Sequence, residues 1–111
     1  MELEKPLFKC AGCMRMGDSF FSCLDGWSEV IRVFHDRLEL GCDPWQKHVF
    51  LLEDIKAIKI VTILGQKFGT VIKHNSSNEP SYVQFDSLIK KRIMNLLCAL
   101  ETEGYPIDRN S

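Results

Sequence analysis

The chain has 111 residues, 45% of them hydrophobic and 26% charged, with a formal net charge of -1. That size gives one domain with a core of its own and leaves no room for a second, and the composition excludes a globally disordered chain. A nearly neutral protein has no overall field to draw in nucleic acid or an anionic membrane, so any such binding must come from a local patch.

The first residues, Met1-Glu2-Leu3-Glu4-Lys5-Pro6, are acidic and polar with no apolar stretch behind them. No secretory signal is read there, and the expected location is cytoplasmic. The longest apolar runs, such as residues 49–52, suit a buried strand and fall far short of the roughly 18 residues a membrane span requires, so an integral membrane protein is not expected. Five cysteines is an odd number. In a reducing compartment they read as buried small hydrophobes or metal ligands rather than a disulfide framework.

Residues 1–18 hold a proline, two glycines and little alternation, and are expected to lie across the domain outside its main sheet. Residues 19–24 are apolar and aromatic and end in the turn signal Asp25-Gly26, which predicts a first strand. Residues 29–34, with Val30, Ile31, Val33 and Phe34, predict a second strand closed by His35-Asp36. Residues 37–42 alternate polar with apolar at period two, a third strand with one wet face, and Asp43-Pro44 ends it. Residues 46–51 and 55–63 are the fourth and fifth, separated by Glu53-Asp54, with Ile58 and Ile60 on one face and Lys59 opposite. After the turn at Leu64-Gly65 come a sixth strand at 69–74, a polar loop at 75–80 and a seventh strand at 81–85. All connections are short, so sequence neighbours pair antiparallel and a dinucleotide fold is excluded.

One helix closes the chain. Ile89, Ile93, Leu96, Leu97 and Leu100 recur at the three-and-four spacing of a single helical face, Asp86 or Ser87 is placed as N-cap, and Gly104 is the left-handed stop. That stripe must cover an apolar sheet face.

Residues 33–40 (Val-Phe-His-Asp-Arg-Leu-Glu-Leu), residues 49–58 with their Leu-Leu-Glu-Asp-Ile centre, and the helix end at residues 93–105 with its Leu-Glu-x-Glu-Gly-Tyr resemble the small bacterial PH-like domains of the pleckstrin-homology superfold. The resemblance covers about residues 19–107. It implies an α+β fold in which seven antiparallel strands form a bent, partly open barrel capped by one C-terminal α-helix. It also implies a domain over 19–107, a preceding segment 1–18 and a tail 108–111. Members of such families mostly bind lipids or proteins, and fold alone does not settle which. Lipid-binding PH domains hold inositol phosphates with Lys and Arg in the turn between the first two strands. Here that turn is Asp25-Gly26-Trp27-Ser28, without a basic residue, and the helix lacks the tryptophan usual in the family.

Three groups of residues carry candidate chemistry. Cys10 and Cys13 have the spacing of a thiolate pair for zinc or for a redox disulfide, but the candidates for a second pair of ligands, Cys23, Cys42, His35 and His48, have no ligand spacing among them, and unremarkable thiols are the competing reading. Lys90, Lys91 and Arg92 sit in the first turns of the helix, where its dipole favours anions; they are either an anion site or a solvated face offset by Asp86. Trp27 and Trp45 fall in predicted turns, where a large ring either folds onto the core or meets a partner. Lys56, Lys59, Lys67 and Lys73 are expected to coat the outer sheet face. No catalytic triad can be assembled from the scattered histidines.

The reading that results is a PH-like binding or assembly module that is not an enzyme and needs no cofactor. Its expected partner is a protein, including a second copy of itself, met through Trp27, Trp45 and exposed strand edges. The alternatives are an anionic lipid surface met through Lys90, Lys91 and Arg92, and a zinc-stabilised or redox protein centred on Cys10 and Cys13.

Overall fold

The computed structural model of the chain describes residues 5–17, 29–42, 48–87 and 89–108. Its central strand comes from the segment with the weakest strand signal. Phe8–Met16 forms β1 within the sheet, a correction to the expectation that residues 1–18 lie outside it. The alternation is present but muted. Phe8, Cys10 and Met14 pack on the core, with Lys9 and Arg15 at the intervening positions, whereas Ala11, Gly12 and Cys13 lack the bulk that marks a strand.

Among the described residues seven further strands and one α-helix follow: β2 (Glu29–Val33), β3 (Arg37–Cys42), β4 (His48–Leu51), β5 (Ile55–Ile63), β6 (Gln66–His74), β7 (Val83–Asp86), α1 (Lys90–Thr102) and β8 (Ile107–Asp108), with a single 3-10 turn at Leu52–Asp54 between β4 and β5. The described residues make a mostly-sheet α+β fold with an open sheet in the order β4-β3-β2-β1-β7-β6-β5-β8, so β4 and β8 are its edges. Among the described residues there are eight strands, six at expected positions together with β1 and β8. The strand expected at 19–24 lies outside the described residues, as do Trp27 and Trp45.

β1 serves two partners in succession. Phe8 to Gly12 pair with β2, and Cys13 to Met16 pair with β7, so one strand carries the chain from the first half of the sheet to the second. Gly12 stands at the transfer point. A Cβ there would collide with the Asp86 carbonyl oxygen and lie 2.8 Å from the Phe85 ring. Only a residue without a side chain lets β1 approach β7 this closely. On the inner side Ile31, Leu38, Leu40, Phe50, Ile58 and Phe85 are buried, joined by the helix stripe.

The β5–β6 hairpin turns on Leu64 and Gly65, both with positive φ (53° and 80°). A two-residue connection of this hand matches the right-handed twist of the strands. Glycine is suited to it; leucine is not, and the Leu64 side chain is 97% exposed.

α1 begins later than its capping signals suggest. Asp86 pairs with Cys13 and Gly69 as the last residue of β7, so the ladder claims it before the helix can. Ser87 Oγ accepts the Ile89 N–H at 3.1 Å, and Ile89 itself occupies the N-cap with extended backbone and no side-chain cap. Ile89 is therefore off the stripe and 49% exposed, while Ile93, Leu96, Leu97 and Leu100 are buried as their spacing predicts. The C-terminus stops where expected. Gly104 has φ 85°, its N–H donates to the Glu101 carbonyl, and the Tyr105 N–H reaches back to the Leu100 carbonyl at 3.0 Å. This is the paired-bond closure in which a left-handed glycine satisfies the last carbonyls of a helix.

Beyond it the chain returns to the sheet. β8 lies parallel to β5, with Ile107 opposite Ile58 and Asp108 opposite Lys59, an exception to the expected antiparallel pairing that takes residue 108 out of the expected tail. The long path through β6, β7 and α1 supplies the crossover that parallel pairing requires.

Two outcomes follow for stability. Leu97→Ala leaves a hole beneath the helix and should cost about 2 to 5 kcal/mol in urea unfolding; a loss near zero would mean that α1 is not docked. Leu64→Asn gives the hairpin a residue that tolerates positive φ and should raise stability by about 1 kcal/mol, whereas a loss would show that the leucine packs on something in solution.

Candidate functional site

β1 separates the two cysteines. At about 3.3 Å per residue, positions three apart in a strand lie roughly 10 Å from each other and point to opposite faces, too far and too divergent for a shared metal or a disulfide. Cys10 is on the core side, and burial pushes its thiol up to about 11 against the opposing pull of Arg92. A thiol so held is a poor nucleophile and a poor zinc ligand at neutral pH. Among the described residues no group of three or more His, Cys, Asp or Glu side chains converges on a possible metal position.

The three cations of the helix start are divided between two surroundings. Lys90 and Lys91 are exposed. Arg92 is exposed as well, and it also reaches β1, where its Nη1 donates to the Ala11 carbonyl at 3.3 Å. It lines a groove of about 400 Å³ together with Lys9, Cys10, Val30, Arg32 and Asn95. The structure thus brings Arg92 and Cys10, two residues singled out separately in the sequence, to one place. Lys9 and Arg32 were missed. They face each other directly across β1 and β2, and the signal that would have found them is the alternation of β1 itself. The first turn of α1 contains no acidic residue, and the expected offset by Asp86 is not available because that side chain is enclosed elsewhere.

Asp86 is 4% exposed at the end of β7. Its two carboxylate oxygens accept from Gln84 Nε2 at 2.9 and 2.8 Å, and the Tyr82 hydroxyl donates to Gln84 Oε1, so a chain of polar groups runs along β7 from an exposed tyrosine to a buried acid. Gly69 lies beneath it, where a Cβ would collide with Asp86 Oδ1. Arg15, opposite Gln84 on β1, attracts the carboxylate, while its own Nε is buried without a hydrogen-bond partner. Burial raises the Asp86 carboxyl above the ordinary carboxylate range, with the Gln84 hydrogen bond and Arg15 pulling the other way. A buried acid of this kind is a common mark of a site, and equally of a structural network.

The other notable surface is the β4 edge. Val49 and Leu51 are 38% and 40% exposed on either side of the buried Phe50, and Leu51 continues into a hollow with His35, Asp36, Leu52 and Glu53. The histidines are engaged nearby in structural roles. His48 Nδ1 meets Glu79 at 2.6 Å, His35 Nδ1 meets Glu103 at 2.7 Å, and His74 is held by Pro80 and Ser76 with its ring edge-on to Phe50. Of the strand lysines, Lys56 and Lys73 are exposed and Lys59 and Lys67 partly so. No helix of the described residues is long and apolar enough to cross a membrane. No protein-family model matches the chain, and no curated protein matches it significantly.

The Asp86 carboxyl has a pH signature of known sign. With its folded-state pKa raised, the folded chain holds the proton to higher pH than the unfolded chain does, so stability falls as pH rises from the unfolded pKa through the folded one. In urea melts from about pH 4 to about pH 7, the stability of Asp86→Asn relative to the parent should therefore climb, at up to about 1.4 kcal/mol per pH unit. A flat difference would mean that water reaches the carboxylate.

Proposed function

We propose that this chain is a non-catalytic, PH-like binding and assembly module that pairs its open β4 edge with a strand of a protein partner, a second copy of the chain being the occupant to test first. The carrying observation is that edge. Among the described residues β4 pairs with β3 on one side only, and at Val49 and Leu51 it shows apolar side chains where soluble proteins usually place charge or proline. An added strand would gain main-chain hydrogen bonds and cover both side chains, with the hollow at His35 and Leu52 beside it.

The strand order supports the PH-like reading. β4-β3-β2-β1 followed by β7-β6-β5, with the transfer at β1 and a C-terminal helix on the apolar side, is the arrangement expected of two angled sheets closed by a helical plug. The non-catalytic reading rests on the same residues that would otherwise serve chemistry. The three histidines tie segments of the fold together, and Cys10 is kept protonated by burial.

Light scattering at low and high salt tests the assembly. The expected result is a dimer mass insensitive to salt, since apolar contacts and main-chain bonds are little screened, and a monomer for the Val49→Lys, Leu51→Lys double variant with unchanged circular dichroism. A parent chain that stays monomeric at its highest soluble concentration, with the variant identical to it, would sink self-assembly through β4.

A further inference from the structure

We propose that the groove between the first half of β1, β2 and the opening turns of α1 binds a phosphate group, with Arg92 and Lys9 as its principal charge partners. Three elements contribute one cation each, Lys9 from β1, Arg32 from β2 and Arg92 from α1, and Asn95 adds an amide one turn beyond Arg92. About 400 Å³ is space enough for a small phosphomonoester or a lipid headgroup.

Two independent electrostatic costs meet here. Lys9 and Arg32 are direct cross-strand neighbours, and like charges in that relation repel across about 5 Å between their Cβ atoms. Arg92 closes a helix turn that bears Lys90 and Lys91 and no acid, against the direction of the helix dipole. A bound dianion would offset the charge of Lys9 in the first and of Arg92 in the second. Arg32 has an interaction of its own and faces Glu39 across β2 and β3, so the charge open to a ligand is that of Lys9 and Arg92. Among the described residues neither Lys9 nor Arg92 has a carboxylate partner.

Arg92 is also positioned in advance. β7 pairs with β1 only from Cys13 onward, so the Ala11 carbonyl lies where that ladder has not begun, and the arginine occupies it with one N–H. The remaining N–H groups of the guanidinium fork are left for a planar pair of oxygens. The groove is separate from the β4 edge, so its ligand and the proposed strand partner are independent.

The probe is inorganic phosphate, followed by amide chemical shifts of the full chain against chloride at matched ionic strength. The expected result is saturable shifts at Lys9, Ala11, Arg92 and Asn95, with binding weakened about tenfold or more by Arg92→Gln or Lys9→Gln and within about twofold of the parent for Lys90→Gln, which lies outside the groove. Leu51→Lys should leave the response unchanged, which separates this site from the edge. A second arm uses phosphatidylcholine vesicles with and without phosphatidic acid. Phosphate shifts without sedimentation assign a soluble phosphate compound, and sedimentation with phosphatidic acid that is lost in Arg92→Gln assigns a lipid headgroup. Equal shifts with chloride, or equal weakening by Lys90→Gln, together with no Arg92-dependent sedimentation, would overturn the proposal.

Discussion

The close crossing of β1 over the end of β7 at Gly12 is the contact on which the rest of the structure depends. Among the described residues the two halves of the sheet, β1 to β4 and β5 to β8, meet through one strand that changes partner between Gly12 and Cys13. A side chain at that point would meet the Asp86 carbonyl and the Phe85 ring. Backbone cannot be moved aside as a flexible side chain can, so the strand would have to leave β7. With it would go the pairing that places Val83 and Phe85 in the core and the path by which the chain enters α1.

Closure is achieved by the helix end rather than by a continuous ladder. Tyr105, just past the left-handed Gly104, donates its hydroxyl to the Phe34 carbonyl at 2.7 Å on the first half of the sheet. One residue later the Pro106 carbonyl accepts from Ile58 on the second half at 2.7 Å. Burial keeps the Tyr105 phenol protonated, reinforced by the nearby Asp36 and Glu103 carboxylates, so it remains a donor. His35 and Glu103 add an exposed pair at the same junction, and Arg37 stacks over the Phe34 ring at 3.9 Å. The apolar stripe of α1 supplies the burial, and these polar contacts fix its angle.

The seam that joins the halves is also where polar groups gather. On the β7 side it encloses Asp86 with Gln84 and Arg15, a charge kept out of water and only partly compensated. Toward β2 it leaves the Ala11 carbonyl to Arg92, and so opens a cationic groove. Both follow from one fact of geometry. Among the described residues each half of β1 is paired along one side only, and side chains must complete what the ladder leaves undone.

The sequence by itself determined the periodic elements: the strands at 37–42 and 55–63, the helix stripe from Ile93 to Leu100 and its stop at Gly104, each legible because burial on one face writes a period of 2 or 3.6 into the residues. Tertiary structure alone decided which residues meet across the chain. β1 was illegible because Ala11, Gly12 and Cys13 are small for the sake of a crossing that no local pattern announces. Asp86 reads as a cap by composition, yet strand pairing with Cys13 and Gly69 claims it, and long-range hydrogen bonds outweigh a local cap worth about 1 kcal/mol. Cys10 and Cys13 look like a pair in a string of letters and are parted by the pleat of a strand. Lys9, Arg32 and Arg92 look unrelated, and the fold sets them around one groove, because contacts between distant segments depend on register and topology, which no short window of sequence contains.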